Sequence, residues 1–292
     1  MPTPDRPAAV RTRDGLALPL RHWTTGGAAH GTVLLVHGLG EHIGRYAHVA
    51  AHLTARGWDV TGYDQRGHGA APGKRGVLRA ADDLLDDLGR VLGAVRTMAS
   101  AFAGTAPDAT AAAPLVLIGH SMGGLVAAQF VAEGRGAVDA LVLSSPALDA
   151  GLSFAQRVQL AVGHALVPDL AMGNQLDAER ISHDPAVVAA YQADPLVHDR
   201  VSARLARALV DGGALVRARA AAWTVPTLLL WAGDDRLVAP AGSAAFAAAA
   251  PPAVVTARRF DGLWHELFNE LDRAPVFDAL DAWMERTVPR RA

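Results

Sequence analysis

Several absences narrow the possibilities for this chain. It has no cysteine, which excludes disulfides, thiolate nucleophiles and Cys-ligated metals. Lysine is nearly missing: Lys74 is the only one, and every other cationic side chain apart from histidine is arginine. With the alanine-rich segments, this reads as compositional bias and is assigned no function. The formal net charge is −2, so no basic surplus points to nucleic acid. No apolar run approaches the roughly 20 residues needed to span a bilayer. The opening MPTPDRPAAVRTRDG lacks the apolar core of a signal peptide, and the expectation is a soluble cytoplasmic protein.

The 292 residues, 51% hydrophobic and 19% charged, suit one large α/β domain with an insertion. Apolar runs at 32–38, 58–64, 114–120, 139–146, 226–233 and 253–260 read as strands. Most are continuous rather than alternating, as in a sheet covered on both faces. Helical patterns at 45–56, 81–100, 122–134, 240–249 and 273–287 lie between them. This alternation predicts a mostly parallel, doubly wound sheet. The segment 8–23 predicts an antiparallel pair turning at Asp14-Gly15. From 149 to 222 no strand is evident, and a helical insertion over one end of the sheet is expected. That divides the chain into core (1–148), cap (149–222) and core (223–292). The 104–113 stretch, GTAPDATAAA, reads as an exposed loop.

Residues 118–124, IGHSMGG, place a serine between glycines at the end of a strand. Gly119-x-Ser121-x-Gly123 suits a strand-to-helix turn that lifts the serine oxygen above the sheet, with free N–H groups at the helix start. A plain glycine-rich loop is the bland alternative. On such a sheet an acid and then a histidine follow the serine in chain order. His164, His183 and His198 fall in the insertion, so His265, after the last strand, is the candidate base. Asp234 and Asp235 both close the strand 226–233 and qualify as the acid, unless they only cap the helix at 240. Asp261, four residues before the histidine, is expected to structure its own loop. The backbone N–H groups of Met122 and Leu39 are the candidate oxyanion donors. His48 and His52 have the i,i+4 spacing of a metal pair but no evident third ligand. HELFNE lacks the second histidine of a zinc helix, and GHGAAPG lacks a full dinucleotide fingerprint. No metal or cofactor is called for.

HGLGEHIGRY (37–46), YDQRGHG (63–69), GHSMGG (119–124), AAYQADPLVH (189–198), GDDRLV (233–238) and WHELFNE (264–270) together resemble the monoacylglycerol lipase and lysophospholipase group of α/β-hydrolases. The resemblance implies the α/β-hydrolase fold with a helical cap, and it favours Asp235 over Asp234 as the acid. It also implies that Glu41, Arg45 and Tyr191 lie near the glycerol pocket, although Glu41 and Arg45 could equally form a local ion pair shaping their loop. Better-known animal members carry a histidine where this chain has Phe268, and pocket cysteines that are absent here.

The activity so implied is cofactor-independent cleavage of monoacylglycerols, a small lipid ester, to fatty acid and glycerol through an acyl-enzyme. A lysophospholipase or general carboxylesterase is the alternative within enzymes, and a non-catalytic lipid-binding protein the alternative outside them. In the cap, Phe154, Val158, Ala161, Val162, Ala165 and Leu166 form one helical stripe opposite Gln156, Arg157 and Gln159. Either the stripe packs wholly onto the core, or part of it lines an acyl tunnel and its rim touches lipid surfaces.

Overall fold

The computed structural model describes residues 8–103 and 113–289. The loop expected at 104–113 lies, but for its last residue, outside them, as do residues 1–7.

The elements, in chain order, are β1 (Ala9–Arg11), β2 (Ala17–Trp23), β3 (Gly31–Val36), α1 (Ala47–Thr54), β4 (Trp58–Tyr63), α2 (Asp83–Ala103), β5 (Leu115–His120), α3 (Ser121–Ala132) and β6 (Ala140–Ser144). There follow α4 (Phe154–Leu166), β7 (Ala171–Gly173), α5 (Pro185–Ala193), β8 (Arg200–Ser202) and α6 (Ala203–Ala218). The chain then returns to the sheet with β9 (Thr227–Ala232), α7 (Pro240–Ala249), β10 (Val255–Phe260) and α8 (Ala274–Thr287).

Among the described residues, eight strands form one sheet in the order β1-β2-β4-β3-β5-β6-β9-β10. The pairs β1–β2 and β2–β4 are antiparallel, and every later pair is parallel. The hairpin turns at Asp14-Gly15, where Thr12 Oγ1 donates to Asp14 and Gly15 takes a positive φ. Every residue of β3, β5 and β9 is buried. Their side chains alternate between two cores, as a period-2 strand requires. Leu34, Val36, Leu115, Leu117 and Leu229 join a cluster with α2, α3, α6 and α7, whereas Val33, Leu35, Val116, Ile118, Leu228 and Leu230 join one with α1 and α8. Continuous apolar strands are thus explained by helices on both faces.

From β3 the chain goes outward to β4 and then back across to β5. The loop after β3 and the loop after β5 therefore open away from each other, leaving a crevice at the carboxyl ends where ligands collect on such sheets.

The stretch 149–222 holds one feature that its sequence pattern did not reveal. β7 and β8 pair antiparallel, Ala171 opposite Ser202. Three residues per strand are too few for periodicity to register. No residue of α4 or α5 is buried. In contrast, α6 buries Leu205, Gly212, Gly213 and Val216 against the sheet-covering layer. A Cβ at Gly213 would stand 2.5 Å from the carbonyl oxygen of Leu148, so only glycine permits this approach.

Candidate active site

Ser121 sits at the junction of β5 and α3 with φ 52°, a left-handed conformation that costs a non-glycine residue energy. The neighbouring glycines make the turn feasible. A Cβ on Gly119 would stand 2.5 Å from the carbonyl oxygen of Gly123, and one on Gly123 would collide with the carbonyls of Val36 and His37. As a first-turn residue of α3, Met122 has a backbone N–H with no intrahelical acceptor.

The loop after β3 is fixed by its own polar groups. His37 Nδ1–H donates to the Gly38 carbonyl at 2.8 Å, while its Nε2 accepts from the Gln65 N–H at 2.9 Å. Because the peptide is planar and trans, holding the Gly38 carbonyl on one side directs the Leu39 N–H to the other. The Gly38 N–H itself is committed to Glu41 Oε1 at 2.6 Å, and the Gly40 carbonyl accepts from the His198 N–H at 2.8 Å.

Asp235 lies at the end of β9 and is buried, whereas Asp234 beside it is exposed. His265 Nδ1–H donates to Asp235 Oδ2 at 2.7 Å, and Asp235 Oδ1 accepts from the N–H groups of Leu237 and Val238 at 2.8 and 3.1 Å. This fixes the tautomer and leaves His265 Nε2 as the acceptor. Neither aspartate caps the helix at 240: the residue before it is Ala239, without a side-chain cap, and Pro240 opens α7. The alternative that the two aspartates cap this helix is therefore incorrect: the oxygens of Asp235 are taken by Leu237, Val238 and His265, and no side chain caps α7. Asp261 ion-pairs with Arg259 at 2.6 Å.

Burial alone would lower the His265 pKa, but the charge of Asp235, its hydrogen bond and the carboxylates of Glu266 and Glu41 raise it above the ordinary value. Burial likewise works to raise the Asp235 pKa, and the charge and hydrogen bond of His265 with the two backbone donors outweigh it, so the carboxyl is held low. His120, with its ring centroid 4.7 Å from that of His265, is pushed down to about 3 by burial and by its neighbour. It stays neutral.

Ser121, His265, Leu39, Gly38, His120, Glu41 and Tyr191 line one cavity of about 340 Å³, together with Leu176, Ile181 and Val197 from the 149–222 stretch. Glu41 is on the wall, but its carboxylate is occupied: Tyr46 Oη–H and the Gly38 N–H donate to Oε1 at 2.6 Å each, and Arg45 to Oε2 at 2.5 Å. Arg45 lies behind, its guanidinium 4.7 Å from the centre of the Tyr191 ring. Phe268 packs against Phe277 in the core cluster with α8 rather than on the cavity wall. His48 binds the Phe268 carbonyl and His52 binds Asp281, so each of the i,i+4 histidines has its own protein partner.

Two contributors escaped sequence reasoning. Glu266 forms a two-pronged pair with Arg45, and Asp194 accepts from His42 Nε2–H at 2.8 Å. Both stand inside recognisable motifs, but partners 221 and 152 positions away are not visible in a linear pattern.

The stripe on α4 does not pack wholly onto the core. Phe154 is 83% exposed and Leu166 75%, with Val158 and Val162 near half. The helix touches α6 through its opposite side, at Gly163 and Ala203. Leu170, Met172 and Leu176 extend the exposed apolar surface along the chain, and Leu176 also lines the cavity.

A model of the family described as serine aminopeptidase, S33, matches residues 27–272. The chain belongs to this family. Within it, the chain is 38% identical to the monoacylglycerol lipase of Mycolicibacterium smegmatis over 90% of each protein. It is 29% identical to the human monoglyceride lipase, covering 98% of this chain and 92% of that one. Among solved structures, the monoacylglycerol lipase of Paleococcus ferrophilus superposes with a TM-score of 0.78 at 29% identity, covering 92% of this chain and 99% of that one. The shared fold is that of the α/β-hydrolases, a mostly parallel sheet with helices on both sides.

Proposed function

We propose that this S33-family hydrolase cleaves the ester bond of monoacylglycerols with Ser121 as nucleophile, His265 as general base and acid, and Asp235 as the residue that orients and supports the imidazolium. The observation that carries the reading is the His265–Asp235 hydrogen bond at a cavity that Ser121 also lines. His265 Nε2 takes the Ser121 proton as Oγ attacks the ester carbonyl. The Leu39 and Met122 N–H groups stabilise the oxyanion. Collapse expels the glycerol oxygen, which receives the proton from His265. Water, deprotonated by the same histidine, then releases the fatty acid and restores Ser121.

Wall chemistry favours a neutral headgroup. No lysine or arginine is among the described residues lining the cavity, so a phosphate would meet no free cation there. Each carboxylate on the wall already has a protein partner: Glu41 and Glu266 pair with Arg45, Asp199 pairs with Arg200, and Asp194 accepts a hydrogen bond from His42. A peptide's ammonium would have to compete with Arg45, Arg200 and His42 for these carboxylates. Glycerol hydroxyls need neither. Glu41 and Arg45 act on the glycerol pocket through the shape of the loop, and Tyr191 by direct contact.

The exposed apolar strip from Phe154 to Leu176 supports transient contact of the cap with lipid surfaces and an acyl path into the cavity. Among the described residues, no helix is long and apolar enough to cross a membrane. The test is a side-by-side assay of a monoacylglycerol and a lysophospholipid of equal chain length. The reading expects kcat/KM to favour the monoacylglycerol by at least about tenfold, since burying an unpaired phosphate is costly. Equal rates or the reverse order would replace it with the lysophospholipase alternative.

A further inference from the structure

Glu41 and Glu266 share one guanidinium. Arg45 Nη1 donates to Glu41 Oε2 and to Glu266 Oε1, and Nη2 donates to Glu266 Oε2 at 2.7 Å. Glu41 and Arg45 belong to the loop after β3, which presents the Leu39 N–H; Glu266 directly follows His265 on the loop after β10. All three side chains are largely removed from solvent. Glu266 is further held by the Asn269 side-chain amide at 2.8 Å, and its own N–H donates to the Ile181 carbonyl.

The charges do not balance within this group: two carboxylates and one guanidinium leave a single negative charge. A buried excess charge is costly unless something nearby compensates it. The groups facing His265 are Asp235 from the loop after β9, Glu41 from the loop after β3, His120 from the serine turn, and Glu266 beside it. His120 does not take up a proton, since burial holds its pKa near 3. His265 is the one member that becomes a cation during the reaction.

We infer that Glu266 is a positioning residue, which through Arg45 and Glu41 locks the Leu39 donor to the His265 loop and with Asp235 supports the protonated imidazole. The fork fixes both distance and angle between two loops that no strand pairing joins, and catalytic geometry tolerates only about 0.5 Å of error. The inference rests on the proposed roles of Ser121, His265 and Asp235.

Two variants separate the parts. Glu266→Gln keeps the size and removes the charge; Arg45→Lys keeps the charge and removes the fork. Both are assayed on a soluble short-chain ester from about pH 5 to about pH 9, with active enzyme counted by titration with a fluorophosphonate so that unfolded material does not enter kcat. For Glu266→Gln, kcat is expected to fall roughly 10- to 100-fold at a KM within about twofold of wild type. The acid limb of kcat/KM moves down by roughly half a pH unit or more. Arg45→Lys loses kcat to a similar degree while its acid limb stays within about 0.2 units.

An unmoved limb in Glu266→Gln overturns the charge role, and kcat within about twofold of wild type in both variants overturns the positioning role. If Glu266→Gln yields no titratable enzyme, Glu266→Asp replaces it. That variant keeps the charge and breaks the fork, so a wild-type limb with lowered kcat is expected and a shifted limb contradicts the inference. Failure of the wild-type enzyme to titrate at Ser121 would refute the proposed triad instead.

Discussion

At the scale of the residue, Asp234 and Asp235 are adjacent yet chemically unlike. Asp235 is buried, accepts two backbone N–H groups and holds His265; Asp234 is exposed. Asp235→Asn should lower kcat by about 10⁴, because an amide favours the wrong histidine tautomer, while Asp234→Asn should stay within about threefold of wild type. Steady-state kinetics on one ester compares them directly, and equal losses would mean that the carboxylate is misassigned. The raised pKa of His265 sets a second expectation. The base must be unprotonated to accept the Ser121 proton, so kcat/KM falls as pH drops through that pKa, and the midpoint of the acid limb should lie above the ordinary imidazole value of 6.5. A midpoint below 6.5 would mean that burial outweighs the surrounding carboxylates. Ser121, His265 and the pair of candidate acids could be read from chain order because each closes or follows a strand. Their ranking could not, since one position of offset separates a buried carboxylate from an exposed one, and only the resemblance distinguished them.

Among the elements, α4 behaves differently from an ordinary surface helix. Ser153 caps it with a reciprocal pair of bonds to Gln156, so the helix is well started, yet its apolar stripe faces outward. Phe154→Asp should leave the melting temperature and the turnover of a soluble short-chain ester unchanged. Turnover of a long-chain monoacylglycerol in micelles should drop several-fold, since a phenylalanine side chain is worth roughly 1.5–3 kcal/mol when fully transferred from water. A parallel loss of both activities with a lower melting temperature would place the stripe in a packed core. The stripe itself was plain in the sequence from its i, i+4, i+7 spacing. Which way it faced was not, because an apolar face bound for a lipid surface and one bound for a core obey the same periodicity. The strands β7 and β8 were invisible for a different reason: their pairing is stabilised by flanking contacts such as Ser202 N–H to the Gly76 carbonyl, not by pattern.

For the whole molecule, the parts that carry the site are bound together by buried polar clusters as well as by two apolar cores. Arg66 joins the first hairpin, the loop after β4 and α2, pairing with Asp87 at 2.6 Å, Asp83 at 2.8 Å and Asp14 at 3.2 Å. Arg66→Met should destabilise the protein by roughly 3 kcal/mol, because Asp87 loses its cation and Asp14 and Asp83 keep only the exposed Arg79. Urea unfolding monitored by circular dichroism checks this, and a change under about 1 kcal/mol would mean that water already reaches the cluster. The alternation of apolar strands with amphipathic helices made the doubly wound sheet legible from sequence, since burial on both faces leaves that imprint. Long-range ion clusters leave none. The central claim, that Ser121 is the nucleophile of an ester hydrolase, is tested most directly by labelling with a fluorophosphonate and measuring intact mass, peptide map and residual monoacylglycerol hydrolysis in one time course. One adduct per chain is expected, located on Ser121, with activity lost in step with labelling and no adduct in Ser121→Ala. Hydrolysis that persists when Ser121 is fully modified, or a single adduct at another residue, would contradict it.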